Sequence, residues 1–169
     1  MWNPDKCRDF EACVAELLDQ PEVQRMDEVR QHVDGVSCLD HCIFVAYLSF
    51  SICRRLGLDY RSAARGALLH DMHLCDWTHD PNSWKRLFIH PKLALQNAEA
   101  FGLNDLERDI IAKHMWPVTL RKFPRHLESA VVNLADKICA TAELLHLYKL
   151  LKAGEKLLPL NKRKALSAG

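Results

Sequence analysis

Along most of this chain apolar residues recur at intervals of three and four, the spacing that lines one side of an α-helix. Alternating runs of β-branched residues, which would mark strands, do not occur, so the expected class is all-α. The clearest helix runs from about Leu39 to Leu56. Ser37 and Asp40 give it a capping-box-like start, Gly57 supplies the stop, and Phe44, Val45, Leu48, Ile52 and Leu56 form one face that His41 shares. Asp59 caps a second helix, whose Ala63, Ala64, Ala67 and Leu68 allow a neighbouring helix to approach closely and lead to His70-Asp71. Pro91 suits a first helical position, which puts His90 at the start of a helix ending near Phe101. Asn104 with Glu107 caps the next, where the row Leu106 and Ile110 continues at i+4 into His114 before Trp116-Pro117 ends it. A last long helix is expected from Pro124 to about Leu151, burying Leu127, Val131, Leu134, Ile138 and Leu145, with Asp136 beside that stripe.

No internal repeat or Gly/Ser linker divides the 169 residues, a length that lets one core bury roughly two thirds of the unfolded surface. The expected organisation is a helical cap over 1–30, a compact helical bundle over 31–151 and a flexible basic tail over 152–169. The cap's Phe10, Val14, Leu17 and Leu18 make an amphipathic segment, suited either to covering the core or to a homodimer contact. A composition of 49% hydrophobic and 27% charged residues is that of a globular protein, and a net charge of +1 gives no field to draw duplex nucleic acid or anionic membrane. The seven cysteines are odd in number, lack a C-x-x-C pair and have mostly apolar neighbours, a pattern of reduced, buried thiols. Residues 1–20 lack a signal-peptide pattern and no run approaches the roughly eighteen apolar residues of a membrane span, so a cytoplasmic location is expected.

Nine histidines exceed what packing requires, and their placement carries the functional reading. A lone histidine on an apolar face is ordinarily a hydrogen-bonded core residue. Here five helical segments each direct a His or Asp inward, and imidazole with carboxylate is the donor set of divalent iron, manganese and zinc.

The stretch CLDHCIFVAYLSFSICRRLGLDYRSAARGALLHDMHL resembles the opening of the HD-domain phosphohydrolase superfamily, in which a histidine begins a helix and an A-x-L-L-H-D helix end follows about thirty residues later. HPKLALQNAEAFGLNDLERDIIAKHMWP and VVNLADKICATAEL look like its later elements, so the resemblance spans about residues 32–150. It implies a compact all-α bundle with a metal site at its centre. His41, His70, Asp71 and Asp136 would hold one ion, His90 and His114 would complete a second site, and Asp71 would bridge the two. The implied cofactors are one or two divalent metals, iron or manganese foremost, with zinc, magnesium, cobalt or nickel as alternatives. The implied reaction is hydrolysis of a phosphoester or nucleotide phosphate by a metal-activated hydroxide, with a small phosphorylated molecule or nucleotide as substrate and no need of a cysteine nucleophile.

Many relatives continue the HD pair as H-D-I-G-K, the lysine holding phosphate, whereas this chain reads HDMHL, with His73 at the glycine position and Leu74 at the lysine position. His73 and His32 are candidate accessory catalytic groups, and Lys92 a candidate phosphate contact in the first turn of its helix, where free backbone N–H groups also favour anions. Lys113 should point away from its neighbour His114, because adjacent helical residues lie about 100° apart. His79 is expected to be exposed, His126 to belong to a basic loop, His146 to lie outside the site, and Trp77, Trp84 and Trp116 to fill the core edge. Two other functions fit the same residues: a di-iron oxygenase of the HD type, and a ligand-sensing module without catalysis.

Overall fold

The computed structural model describes residues 4–29, 36–74, 83–120 and 122–145. His32, Cys75, Trp77, His79, His146 and the basic tail lie outside them, and of Trp84 only the backbone is described. The described residues form helices and no β-strand: α1 (Pro4–Leu18), a single turn α2 (Pro21–Gln24) running into a 3-10 turn (Arg25–Glu28), α3 (Cys38–Leu56), α4 (Tyr60–Leu69), α5 (Ser83–Ala98) with a 3-10 extension (Glu99–Phe101), α6 (Asp105–Lys113) and α7 (Leu127–Leu144). The all-α expectation holds.

The chain's own caps set the ends of the central helices. Ser37 Oγ accepts from the Asp40 backbone N–H at 3.1 Å and itself donates to Asp27 at 2.7 Å, tying the start of α3 to the preceding 3-10 turn. Gly57 ends α3 in the left-handed region at φ 70°, a conformation that favours a residue without Cβ. Asp59 caps α4 by accepting from Ser62 N–H at 3.0 Å, and Asn104 with Glu107 closes a reciprocal capping box on α6.

Helices α3 and α4 form the centre, with α7 on α3, α6 against α4 and α7, α5 against α6, and α1 across α4. The core includes Phe10, Val14 and Leu17 of α1, Ile43, Val45 and Phe50 of α3, Leu68 and Leu69 of α4, and Ile110 and Ile111 of α6. The amphipathic segment at the N-terminus therefore covers the core, with Phe10 meeting Tyr47 edge-on at 5.3 Å. Gly66 of α4 lets α6 come close, since a Cβ there would lie 3.0–3.1 Å from Ile110 side-chain atoms.

Four local expectations are corrected. Helix α5 begins at Ser83, so Pro91 sits in its interior and His90 is a mid-helix residue. Proline there lacks the backbone N–H and crowds the carbonyl four residues earlier, a local cost that the helix bears as it passes through. Helix α7 starts at Leu127, because Asp109 of α6 accepts from Arg125 N–H and Ser129 Oγ at 2.9 and 2.7 Å and holds the preceding segment outside the helix. Its buried side is also not the apolar stripe: Leu127, Leu134, Ile138 and Leu145 are 47–69% exposed, while Ser129, Val132, Asn133, Ala135, Asp136, Cys139 and Glu143 face inward. Leu56 of α3, expected on the inner face, is 62% exposed.

Candidate metal centre

His70 and His114 each occupy the position just after the last residue of a helix, α4 and α6 respectively. There the helix's final carbonyls lack intrahelical donors, and each ring takes one: His70 Nδ1–H donates to Ala67 O at 2.7 Å and His114 Nδ1–H to Ile111 O at 2.8 Å. Since a carbonyl only accepts, the proton is on Nδ1, and in the neutral ring Nε2 carries a lone pair. Both rings are buried and lie edge to face with centroids 4.9 Å apart.

His41, one turn into α3 and fully buried, is held differently. Its Nδ1 meets Glu143 Oε1 at 2.8 Å and its Nε2 meets Asp136 Oδ1 at 3.2 Å, both carboxylates belonging to α7. Asp71 follows His70 and lies between the remaining groups. One of its oxygens is 3.5 Å from His70 Nε2, and the other is 3.4 Å from both His90 Nε2 and His114 Nε2. Two sets of potential ligands result, His41 with His70 and Asp71, and Asp71 with His90 and His114; within each set the ligand atoms lie within 4.8 Å of one another. Asp136 joins the first set through His41 and, at 3.7 Å, His70 Nε2.

The donor set fits divalent cations. His70 Nε2 is buried with no hydrogen-bond partner, although a buried polar atom is ordinarily satisfied. His90 Nε2 and His114 Nε2 face each other at 2.8 Å, and two lone pairs at that separation need a proton or a cation between them. Without a cation, protons supply the compensation. Burial opposes charge on His41, but hydrogen bonds to Asp136 and Glu143 outweigh it and raise the pKa well above its ordinary value. His70 is raised in the same way against burial, mainly by Asp71 and Asp136. Asp71 and Asp136 are lowered, burial being overcome by the neighbouring imidazoles. His114 moves the other way, pushed down to about 3 by burial and the nearby His70.

The surroundings fix these groups further. Asn133 Nδ2 donates to the backbone carbonyls of His114 and Trp116, and Lys137 Nζ donates to His114 O at 2.8 Å and contacts Asp136 Oδ2 at 3.2 Å. His73 stands beside the second set, its ring centroid 6.0 Å from that of His90. Lys92 is exposed and lies in the interior of α5 rather than in its first turn, so the free N–H groups expected to assist it are not there. Lys113 is paired with Asp109, away from His114. His126 is exposed at the start of α7, and Trp116 packs edge-on against Phe123 at 5.3 Å. All six described cysteines are free thiols, and burial raises Cys53 to about 12 and Cys42 well above its usual range, which keeps them from forming thiolate.

Glu143 and Asn133 are not singled out by the sequence. The available signal for Glu143 was its place seven residues after Asp136, on the same helical face.

Helices that deliver histidines and aspartates to one buried point, in the order H, HD, H, H, D, define a metal-binding helical domain. The HD domain family model matches residues 38–141, more than half of the chain, and the chain belongs to that family. Neither the curated proteins nor the solved structures compared with it include a match. Among the described residues no helix is long and apolar enough to cross a membrane.

Proposed function

We propose that the chain is a dinuclear metal-dependent phosphohydrolase acting on a small phosphoester or nucleotide phosphate. The observation that carries this is the pair of histidine–aspartate sets sharing Asp71. His41, His70, Asp71 and Asp136 would hold one cation and Asp71, His90 and His114 the other; iron or manganese suits imidazole with carboxylate best, and zinc, magnesium, cobalt or nickel are the alternatives. Bound cations would supply Lewis acidity, activating water near neutral pH and neutralising charge on a phosphoryl group.

The chain's own residues do the rest. Asp71 places a single negative group between the two sets, within 3.5 Å of three imidazoles. The backbone carbonyls of Ala67 and Ile111 fix two rings with Nε2 turned inward. His73, its ring centroid 6.0 Å from that of His90, would pass a proton to a leaving group, and His32, outside the described residues, is a second candidate for that role. For the substrate's charge, Lys92 remains a candidate, and Lys137 adds an ammonium 3.2 Å from Asp136 with its side chain 39% exposed at the edge of the site.

A di-iron oxygenase is the second reading, favoured by Leu74 standing where many relatives carry the phosphate-holding lysine. Tag-free protein analysed for metals should hold about two equivalents per chain and release phosphate or alcohol from a panel of p-nitrophenyl phosphoesters and nucleotides, equally in air and under argon. Oxygen consumption without hydrolysis would favour the oxygenase, and protein with no bound metal and no metal uptake would sink both readings.

A further inference from the structure

Resting on the dinuclear reading above, we infer that Glu143 is a positioning residue that makes the His41–His70–Asp71–Asp136 site the tighter of the two metal sites, so that it fills first. Three observations converge on it. Glu143 is fully buried, and its side-chain Oε1 accepts from His41 Nδ1–H at 2.8 Å. Asp136 lies two turns earlier on the same buried face of α7 and reaches the other nitrogen of that ring at 3.2 Å. The imidazole is thus clasped at both ends by one helix. Once Nε2 faces a cation, Nδ1–H donates to Glu143, which fixes the ring's tautomer and direction and makes Nε2 a stronger donor.

His70 and His114 are oriented by neutral backbone carbonyls, whereas His41 is oriented by a carboxylate. Glu143 Oε2 is buried without a hydrogen-bond partner, so its charge is not dispersed into other donors. The first set therefore has Asp71, Asp136 and Glu143 at hand, against one opposing ammonium, Lys137, at its rim. Among the described residues, the carboxylate of the second set is Asp71. In a buried, weakly screened site that difference in negative charge favours a dication at the first set. A carboxylate hydrogen-bonded to a ligand histidine commonly carries 10–100-fold of metal affinity.

The test is a Mn2+ titration of chelator-stripped, tag-free protein, followed by calorimetry and by the paramagnetic resonance of free Mn2+. Wild type should bind in two steps, the first at least about 10-fold tighter. Glu143→Gln, which keeps the size and can still accept from Nδ1–H, should weaken that step by about 10–100-fold and leave the second within about twofold. His114→Ala should abolish the second step alone. An unchanged first step in Glu143→Gln, or equal weakening of both steps, overturns the inference while leaving the dinuclear reading intact. No binding by wild type overturns the dinuclear reading itself. Should Glu143→Gln fail to fold, 15N-histidine NMR of wild type loaded with Zn2+ decides the matter. A His41 Nδ1 proton shifted strongly downfield supports the clasp, and an unprotonated Nδ1 overturns it.

Discussion

A histidine has two ring nitrogens, and in this protein the partner of the outer one decides what the inner one can do. Backbone carbonyls fix His70 and His114, a carboxylate fixes His41, and the inner nitrogens then converge around Asp71 and Asp136. Asp71 is the residue both sets require. Asp71→Asn keeps the shape but removes the charge that stands opposite three imidazoles. Bound divalent metal should drop below one equivalent per chain by elemental analysis, and phosphoester turnover should fall by on the order of 10²–10³-fold, the usual cost of deleting a key electrostatic contact. The positions that meet here were visible in the sequence because histidines and aspartates with inward helical phase are conspicuous. Glu143 was not, since one glutamate among the alanines and leucines near the end of a helix looks like a solvated residue until its depth is known. The companion of Asp136 could only be recognised once α7 had been turned to its true face.

That turn belongs to the scale of the element. Apolar periodicity assigned the inner face of α7 to Leu127, Leu134, Ile138 and Leu145, yet these are exposed and the polar side is buried. Periodicity assumes that the interior is apolar, and it fails where the interior is a site lined by carboxylates and amides. Helices whose inner face is ordinary core were read well: α3 and α4 have the expected caps and ends, and α6 has the expected capping box. The start of α5 was misplaced because a proline near a histidine reads as a helix opening, whereas the helix passes through it. Two substitutions probe the α4–α6 contact that brings His70 and His114 together. Gly66→Ala sets a methyl against Ile110 Cβ at 3.1 Å, a contact that side-chain rotation cannot relieve. Overpacking of this kind costs about 1–3 kcal/mol and a better helix former returns up to about 1 kcal/mol, so urea midpoints should fall modestly. Glu107→Ala removes the side-chain half of the capping box and the buried ion pair from Glu107 to Arg65 Nε at 2.7 Å. It should cost about 3–5 kcal/mol, the usual price of leaving one partner of such a pair behind.

For the molecule as a whole, the centre is a concentration of buried charge whose balance depends on pH and on metal, and the two dependences have opposite signs. In metal-free protein His41 and His70 have raised pKa values. Their stabilisation is complete below the unfolded histidine value near 6.5 and is lost as pH rises through the raised folded values. Asp71 and Asp136 are lowered, so their stabilisation is present above the unfolded aspartate value near 3.8 and is lost as pH falls through the depressed folded values. His114, depressed to about 3, is held neutral by the fold and penalises the folded state progressively as pH drops below 6.5. Metal-free protein should therefore be most stable close to neutrality and lose stability on the alkaline side as His41 and His70 give up their protons. A bound cation takes the place of those protons, and its affinity rises with pH because it no longer competes with them. Melting temperatures of EDTA-treated and Mn2+-loaded protein should thus diverge as pH is raised from 6 to 8, with the loaded form gaining on the stripped one throughout. Scanning fluorimetry across that range measures the gap, and a gap that stayed constant or narrowed would show that the buried imidazoles are not where the metal binds.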